Sequence, residues 1–223
     1  MDADVAAIMV EPVQGEGGAI AAPEGYLEGV RKAADDFGAL VIADEVQTGM
    51  GRTGYLFAYQ KTNIQPDLVV LAKGLGGGFP VGAVIARKAI GEAMGPGSHG
   101  STFGGNPLAM AVANAVLDGL EEDGFLEDVR RRAALLDDKL NKLADAYPSL
   151  IVERRGAGFL RGLKLSDSLA VGDMTTALRA EKLLCVPAGE NVLRLLPPLT
   201  LSEPEIEQAY SILDKVFSRF ASS

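Results

Sequence analysis

Short apolar runs alternate with longer segments in which apolar residues recur every three or four positions. Val5-Ala-Ala-Ile-Met-Val10, Ala39–Ala43 and Leu68–Ala72 are continuous apolar stretches. Their length and flanking turn residues predict buried strands, which require neighbours and covering layers on both faces. Between the first two, Pro23–Phe37 has helical spacing, with proline at its start and Gly38 as a stop signal. Val81–Ala86 reads as a fourth strand. The connection Gly74–Pro80 is too short for a parallel crossover, so this strand is predicted to run antiparallel to the third. Three parallel strands would then deliver Glu11, Asp44 and Lys73 to one rim.

Gly95–Gly105 is a polar, glycine-rich loop, followed by helical patterns over Pro107–Leu120 and Phe125–Tyr147. The texture then changes. Ile151–Arg155, Phe159–Leu165 and Val192–Leu196 read as short strands, with helices over Met174–Leu184 and Ser202–Phe220. Ser202-Glu-Pro-Glu205 matches a capping box. The pattern predicts an α/β fold: a larger domain over residues 1–122 with a mostly parallel sheet, and a small α+β domain over 123–223. There is no internal repeat and no low-complexity segment. The first strand begins after only four residues. It is therefore expected at a sheet edge, or a preceding segment is missing, with Met1 the start of a truncated or split chain.

The chain has 223 residues, 48% hydrophobic content and a net charge of −9. That composition suits a folded enzyme and argues against a nucleic-acid partner. The densest basic run, Arg130-Arg-Arg132, lies among Glu127, Asp128, Asp137 and Asp138 and reads as a solvated helix face. Cys185 is the single cysteine, so no internal disulfide can form. With no signal peptide, a reducing, cytoplasmic setting is expected. In Leu183-Leu-Cys-Val186 it reads as a small buried hydrophobe. No apolar stretch is long enough to span a membrane.

Lys73 ends an apolar strand and opens a glycine-rich turn. At the carboxyl edge of an open sheet, where ligands bind, a lysine drawn out of water becomes a usable amine for a Schiff base. Asp44, at the end of a neighbouring strand, could hold a pyridinium nitrogen protonated. Asp44-Glu45 also resembles the acidic end of a Walker B strand, but no matching phosphate loop occurs. Gly15-Glu-Gly-Gly18 fails the dinucleotide pattern because position 20 is Ile. His99, the only histidine, reads as a structural donor, and no metal site can be assembled around it. Arg194, inside Val192-Leu-Arg-Leu-Leu196, needs an anion: a structural ion-pair partner or a substrate carboxylate.

Four stretches together resemble the class III, pyridoxal-phosphate-dependent aminotransferases: Val10-Glu-Pro-Val-Gln-Gly-Glu16, Ala43-Asp-Glu-Val-Gln-Thr-Gly49, Leu71-Ala-Lys-Gly-Leu-Gly-Gly-Gly78 and His99-Gly-Ser-Thr-Phe-Gly-Gly-Asn-Pro107. The resemblance extends from Val5 to about Phe220. The segment Val186–Leu199 is most similar to the acetylornithine branch, while the ornithine and 4-aminobutyrate branches share the core motifs. The resemblance implies fold type I, with part of the large domain and the small carboxyl-terminal domain. It implies pyridoxal 5'-phosphate as cofactor, small amino and oxo acids as substrates, 2-oxoglutarate as the usual acceptor, and a homodimer. By position, Lys73 matches the lysine that holds the cofactor and moves the proton. Asp44 matches the partner of the ring nitrogen, Val46 packs on the ring and Gln47 reaches its phenolic oxygen. Thr102 matches a phosphate donor acting across the dimer interface, with Ser101 beside it near the substrate. Arg194 matches the residue that binds an α-carboxylate, and Glu16 its switchable partner. Glu11 lies in a matching motif without an assigned role.

The family carries further sequence ahead of the first strand seen here. That part holds a glycine-rich phosphate-binding turn, an aromatic residue stacked on the ring and a second substrate-binding arginine. The resemblance therefore implies that the chain alone binds the cofactor weakly, without turnover, or needs another chain.

Overall fold

The computed structural model describes residues 4–221; Met1, named above as a possible truncation point, lies outside them. The described chain divides into two compact units. The first comprises residues up to Pro12, Ala22–Gly51 and Tyr55–Phe125. The second comprises Val13–Ala21, Arg52–Gly54 and the chain from Leu126 onward.

In chain order the elements are β1 (Ala7–Val10), β2 (Val13–Gln14), β3 (Ile20–Ala21), α1 (Tyr26–Phe37), β4 (Leu40–Asp44), β5 (Leu68–Leu71), β6 (Ala83–Ala86), the short α2 (Lys88–Gly91), α3 (Pro107–Leu120), α4 (Phe125–Ala146), β7 (Ile151–Ala157), β8 (Leu160–Leu165), α5 (Val171–Ala180), β9 (Val186–Ala188), β10 (Val192–Leu195) and α6 (Glu203–Ala221).

The first unit is built on a four-stranded sheet ordered β1-β4-β5-β6. β1 and β5 both run parallel to β4, and β6 runs antiparallel to β5, as the connection length requires. Among the described residues β1 lies at one edge of this sheet. Helix α1 packs through Val30 and Ala34 against Ile8, Ala39 and Val41. It starts later than the sequence pattern predicts. Gly25 adopts a left-handed φ of 78°, so Pro23 belongs to a turn before the helix rather than to its first turn. On the opposite sheet face the edge-strand residues Met9 and Val84 are 57% and 63% exposed, while Ile42, Leu68 and Val70 of the central strands are half-buried.

Asp67, just before β5, locks this unit together. Its carboxylate receives the Arg31 guanidinium at 2.5 Å and the Val41 N–H at 2.8 Å, and Arg87 lies at 3.2 Å. Helix α1, β4, β5 and the end of β6 meet on one buried side chain.

The second unit carries a sheet ordered β7-β8-β10-β9 and the small β2-β3 hairpin. Its core is formed by Leu140 and Leu143 of α4, Leu160 and Leu163 of β8, Met174 and Leu178 of α5, and Leu213 and Phe217 of α6. The capping box forms as predicted: Ser202 N–H donates to Glu205 Oε2 at 2.7 Å, and Glu205 N–H to Ser202 Oγ at 3.4 Å. Helix α5 ends earlier than its apolar pattern suggests, because Lys182 turns left-handed at φ 67°. The basic run on α4 is not uniformly solvated. Arg131 is exposed, but Arg132 shares the buried face with Val129, Ala133 and Leu136, its Nε 2.8 Å from Asp128. No helix among the described residues is long and apolar enough to cross a membrane.

Burial alone would raise the Asp67 carboxyl, but Arg31, the Val41 N–H and Arg87 overcome this and hold it below the usual aspartate value of 3.8. The stability Asp67 contributes is therefore complete above that value and is lost as pH falls through the lower folded one. Asp67→Ala is expected to lower the unfolding free energy by about 2–3 kcal/mol at neutral pH. In urea titrations repeated at decreasing pH, that difference should shrink below about pH 4.

Candidate active site

The rim predicted from the strands is present. β1, β4 and β5 are parallel, with Val10 opposite Ala43 and Asp44 opposite Val70. Glu11, Asp44 and Lys73 therefore follow from the carboxyl ends of adjacent strands. The ladder continues one step further, as Glu45 N–H donates to Val70 O at 3.0 Å.

Lys73 opens a 3₁₀ turn over Lys73–Gly76. Its φ of 44° is left-handed, a conformation that costs a non-glycine residue about 1 kcal/mol. The side chain is exposed, not drawn out of water. That corrects the desolvation expected from the preceding apolar run. The run is buried only as far as Leu71, and the chain turns outward at Lys73.

Asp44 is half-buried, and its Oδ1 accepts the Val46 N–H at 3.1 Å. Val46 and Gln47 are half-buried in the turn that follows. Beneath them lies Glu45, a residue to which the sequence pattern assigns no part in the site. Strand alternation sends Asp44 and Glu45 to opposite sides, and Glu45 is only 1% exposed. Burial raises its carboxyl above the ordinary range, opposed by donors from Thr48, Tyr59 and Ala58. Two successive acids at the end of an apolar run are the signal that could have revealed it, since only one of them can face the rim.

Ser101 and Thr102 lie in a continuously exposed stretch, Gly91–Gly105. It ends at Asn106, whose side chain caps α3 by accepting the Ala109 N–H at 2.9 Å. His99 is exposed, with Nδ1 3.3 Å from Ser98 Oγ. Among the described residues no group of histidine, cysteine or acidic side chains could hold a metal ion.

In the second unit, Arg194 and Glu16 meet despite their separation in sequence. Arg194 Nη1 lies 2.7 Å from Glu16 Oε1. Arg194 is 4% exposed within β10, whose four residues are all buried. The Glu16 side chain is 71% exposed. It stands in the turn of the β2-β3 hairpin, where Gly189 N–H donates to its carbonyl at 2.8 Å. Gly18, at φ 118°, makes that approach possible: a Cβ there would stand 2.9 Å from Gly189 O. The pair joins a buried guanidinium to a carboxylate that remains largely in water.

The family Aminotransferase class-III matches residues 1–217. Acetylornithine aminotransferase 1 of Bradyrhizobium diazoefficiens is 50% identical over 218 residues, covering 98% of this chain and 53% of the relative. The acetylornithine aminotransferase of Mesorhizobium japonicum is 52% identical over 206 residues, covering 92% and 51%. Among solved structures, N-acetylornithine aminotransferase from Stenotrophomonas maltophilia superposes with a TM-score of 0.88 at 37% identity, covering 99% of this chain and 58% of that one. The ornithine aminotransferase from Toxoplasma gondii does so with 0.94 at 35%, covering 99% and 53%. The chain thus spans about half the length of the curated relatives it matches.

Cys185 is half-buried rather than the fully buried hydrophobe its sequence context predicts. The surrounding protein pushes its thiol up to about 12, which disfavours the thiolate. Native protein should react with iodoacetamide at pH 8 at least about tenfold more slowly than urea-unfolded protein. Peptide mass spectrometry would read the difference, and equal rates would contradict it.

Proposed function

The chain belongs to the class III aminotransferases, and we propose that it supplies the lysine, the ring-nitrogen carboxylate and the substrate-binding arginine of an enzyme that transaminates N-acetylornithine with 2-oxoglutarate. The names of its relatives favour N-acetylornithine as the amino donor, and the family resemblance adds 2-oxoglutarate as acceptor and a place in arginine biosynthesis. We assign the first unit to the large, cofactor-binding domain and the second to the small domain of fold type I. The proposed setting is the cytoplasm, and the proposed assembly a homodimer.

The observation that carries this reading is the register of β4 with β5, which sets Asp44 and the start of the Lys73 turn at one strand edge. The family's pyridoxal 5'-phosphate, when bound, supplies an aldehyde for the lysine and an electron sink for the substrate carbon. The residues present fit it. Asp44 offers a half-buried carboxylate to a protonated ring nitrogen, and its orientation is fixed by the Val46 N–H. Val46 would pack on the ring, and Gln47 would donate to the phenolic oxygen. Lys73 Nζ is the attachment point, and it takes the proton from the substrate carbon and returns it. Its exposure leaves the amine accessible. Thr102 would donate to the phosphate of a neighbouring subunit's cofactor, with Ser101 near the substrate. Arg194 grips the α-carboxylate of 2-oxoglutarate with its planar fork, releasing Glu16. When the substrate presents no such carboxylate there, Glu16 returns and neutralises the guanidinium.

A second reading, ornithine as amino donor, is favoured by the ornithine aminotransferases among the similar structures. 4-Aminobutyrate is a further donor to be compared. Because the chain spans about half the length of its relatives, a non-catalytic role beside another chain is the remaining alternative.

Borohydride reduction after incubation with pyridoxal 5'-phosphate should leave a pyridoxyl group on the Lys73 peptide, and Lys73→Ala should abolish it. A pyridoxyl group on other peptides alone would remove the cofactor assignment. In the active assembly, Arg194→Lys should lower kcat/KM for 2-oxoglutarate roughly tenfold or more, because an ammonium lacks the bidentate fork. Unchanged kinetics would leave Arg194 a structural ion-pair partner. Comparing N-acetylornithine, ornithine and 4-aminobutyrate as donors decides the substrate.

A further inference from the structure

We propose that Glu45 is the positioning residue of the cofactor-facing turn: its buried carboxyl ties Glu45–Gly49 to the segment Ala58–Lys61 and thereby fixes Asp44, Val46 and Gln47. This rests on the reading of Asp44, Val46 and Gln47 given above, and extends it to a residue that would touch neither cofactor nor substrate.

The geometry is that of a clasp. One carboxyl oxygen, Oε2, accepts from the Thr48 hydroxyl within the same turn. The other, Oε1, accepts the Tyr59 N–H at 2.9 Å, from a segment that is remote in sequence. The Ala58 N–H adds a third donor. The Glu45 backbone closes the turn on its other side, donating to Val70 O at 3.0 Å and accepting from Gly49 N–H at 2.9 Å. The turn is drawn so tight that a Cβ at Gly49 would stand 2.8 Å from the Glu45 carbonyl oxygen and 3.2 Å from Leu71 Cδ2. Val46 and Gln47 ride on this loop. The Val46 N–H that orients the Asp44 carboxylate belongs to the peptide immediately after Glu45.

The chemistry indicates that the role is geometric. The groups bonded to the Glu45 carboxyl are neutral donors, and the neighbouring charge of Asp44 is of like sign. A buried acid without a cation costs stability. A hydrophobic residue of similar size would avoid that cost but would leave the Tyr59 and Ala58 N–H groups and the Thr48 hydroxyl unsatisfied. Two acceptor oxygens serving donors on two segments are what joins them. Glutamine keeps most of this arrangement, since its carbonyl can accept from Tyr59 and its amide can donate to Thr48 Oγ1. Alanine removes it.

The test uses the full chain with Glu45→Gln and Glu45→Ala, and two readouts. In amide hydrogen exchange, Glu45→Ala should accelerate Val46–Gly49 and Ala58–Tyr59 by about tenfold or more, with α1 and β5 unchanged, while Glu45→Gln stays close to the parent. In titration with pyridoxal 5'-phosphate, Glu45→Ala should weaken binding about tenfold and shift the pH dependence of the bound cofactor's absorbance, and Glu45→Gln should restore both. Unchanged exchange in the turn would overturn the proposal, as would acceleration spread evenly over the first unit or a glutamine variant as impaired as alanine. An active assembly that carries no cofactor on Lys73 would refute the function proposed above, and the exchange pattern would still decide whether Glu45 holds the turn.

Discussion

The parallel pairing of β4 with β5 is the constraint on which the site depends. Side chains at the ends of parallel strands fall at the same edge of the sheet. The offset is fixed once Ile42 sits opposite Leu68 and Asp44 opposite Val70. A slip of one residue would send Asp44 to the other face and Glu45 to the rim. The burial pattern guards against that slip. Val41 and Ala43 of β4 are buried, as are Val69 and Leu71 of β5. The apolar core therefore sets the register, and the register sets the chemistry at the edge.

Three acids beside this sheet illustrate how one side-chain type is put to different uses. Asp67 is buried among two guanidiniums and a backbone N–H, and they hold its charge on. Glu45 is equally buried but meets only neutral donors, so burial prevails and its carboxyl rises. Asp44, half-buried at the strand end, keeps a face toward the rim. The first holds strands to a helix, the second bonds to Thr48 and Tyr59, and the third stays half-exposed at the strand end. Partner type and solvent access separate these roles, because the side-chain chemistry is nearly the same.

The second unit solves a different problem. A guanidinium inside a buried strand must have an anion, and the β2-β3 hairpin provides one on a side chain that remains in water. Arg194 sits in β10 between Gly162 on β8 and Val186 on β9. The Glu16 side chain keeps most of its surface in water. The charge of a buried guanidinium is thus met without burying a second charge.

Much of this was legible in the sequence, and the portion that was not shares one physical cause. Apolar run length, helical periodicity and turn residues are local, so they fixed three parallel strands, the antiparallel fourth, α3, α4 and the Ser202 cap. They also placed Asp44 and Lys73 at strand ends, and the four motifs together pointed to the family. Resemblance, not pattern, suggested that Glu16 meets Arg194. Hydrogen bonds and burial between residues far apart in the chain leave no periodic trace. Hence only the tertiary structure drew Val13–Ala21 and Arg52–Gly54 into the second unit. It alone buried Arg132 while leaving Arg131 in water, turned Lys73 outward, and joined Glu45 to Tyr59 across the loop between them. Sequence specified which groups each element carries. Packing decided which of them face the interior, because that depends on what lies across the gap.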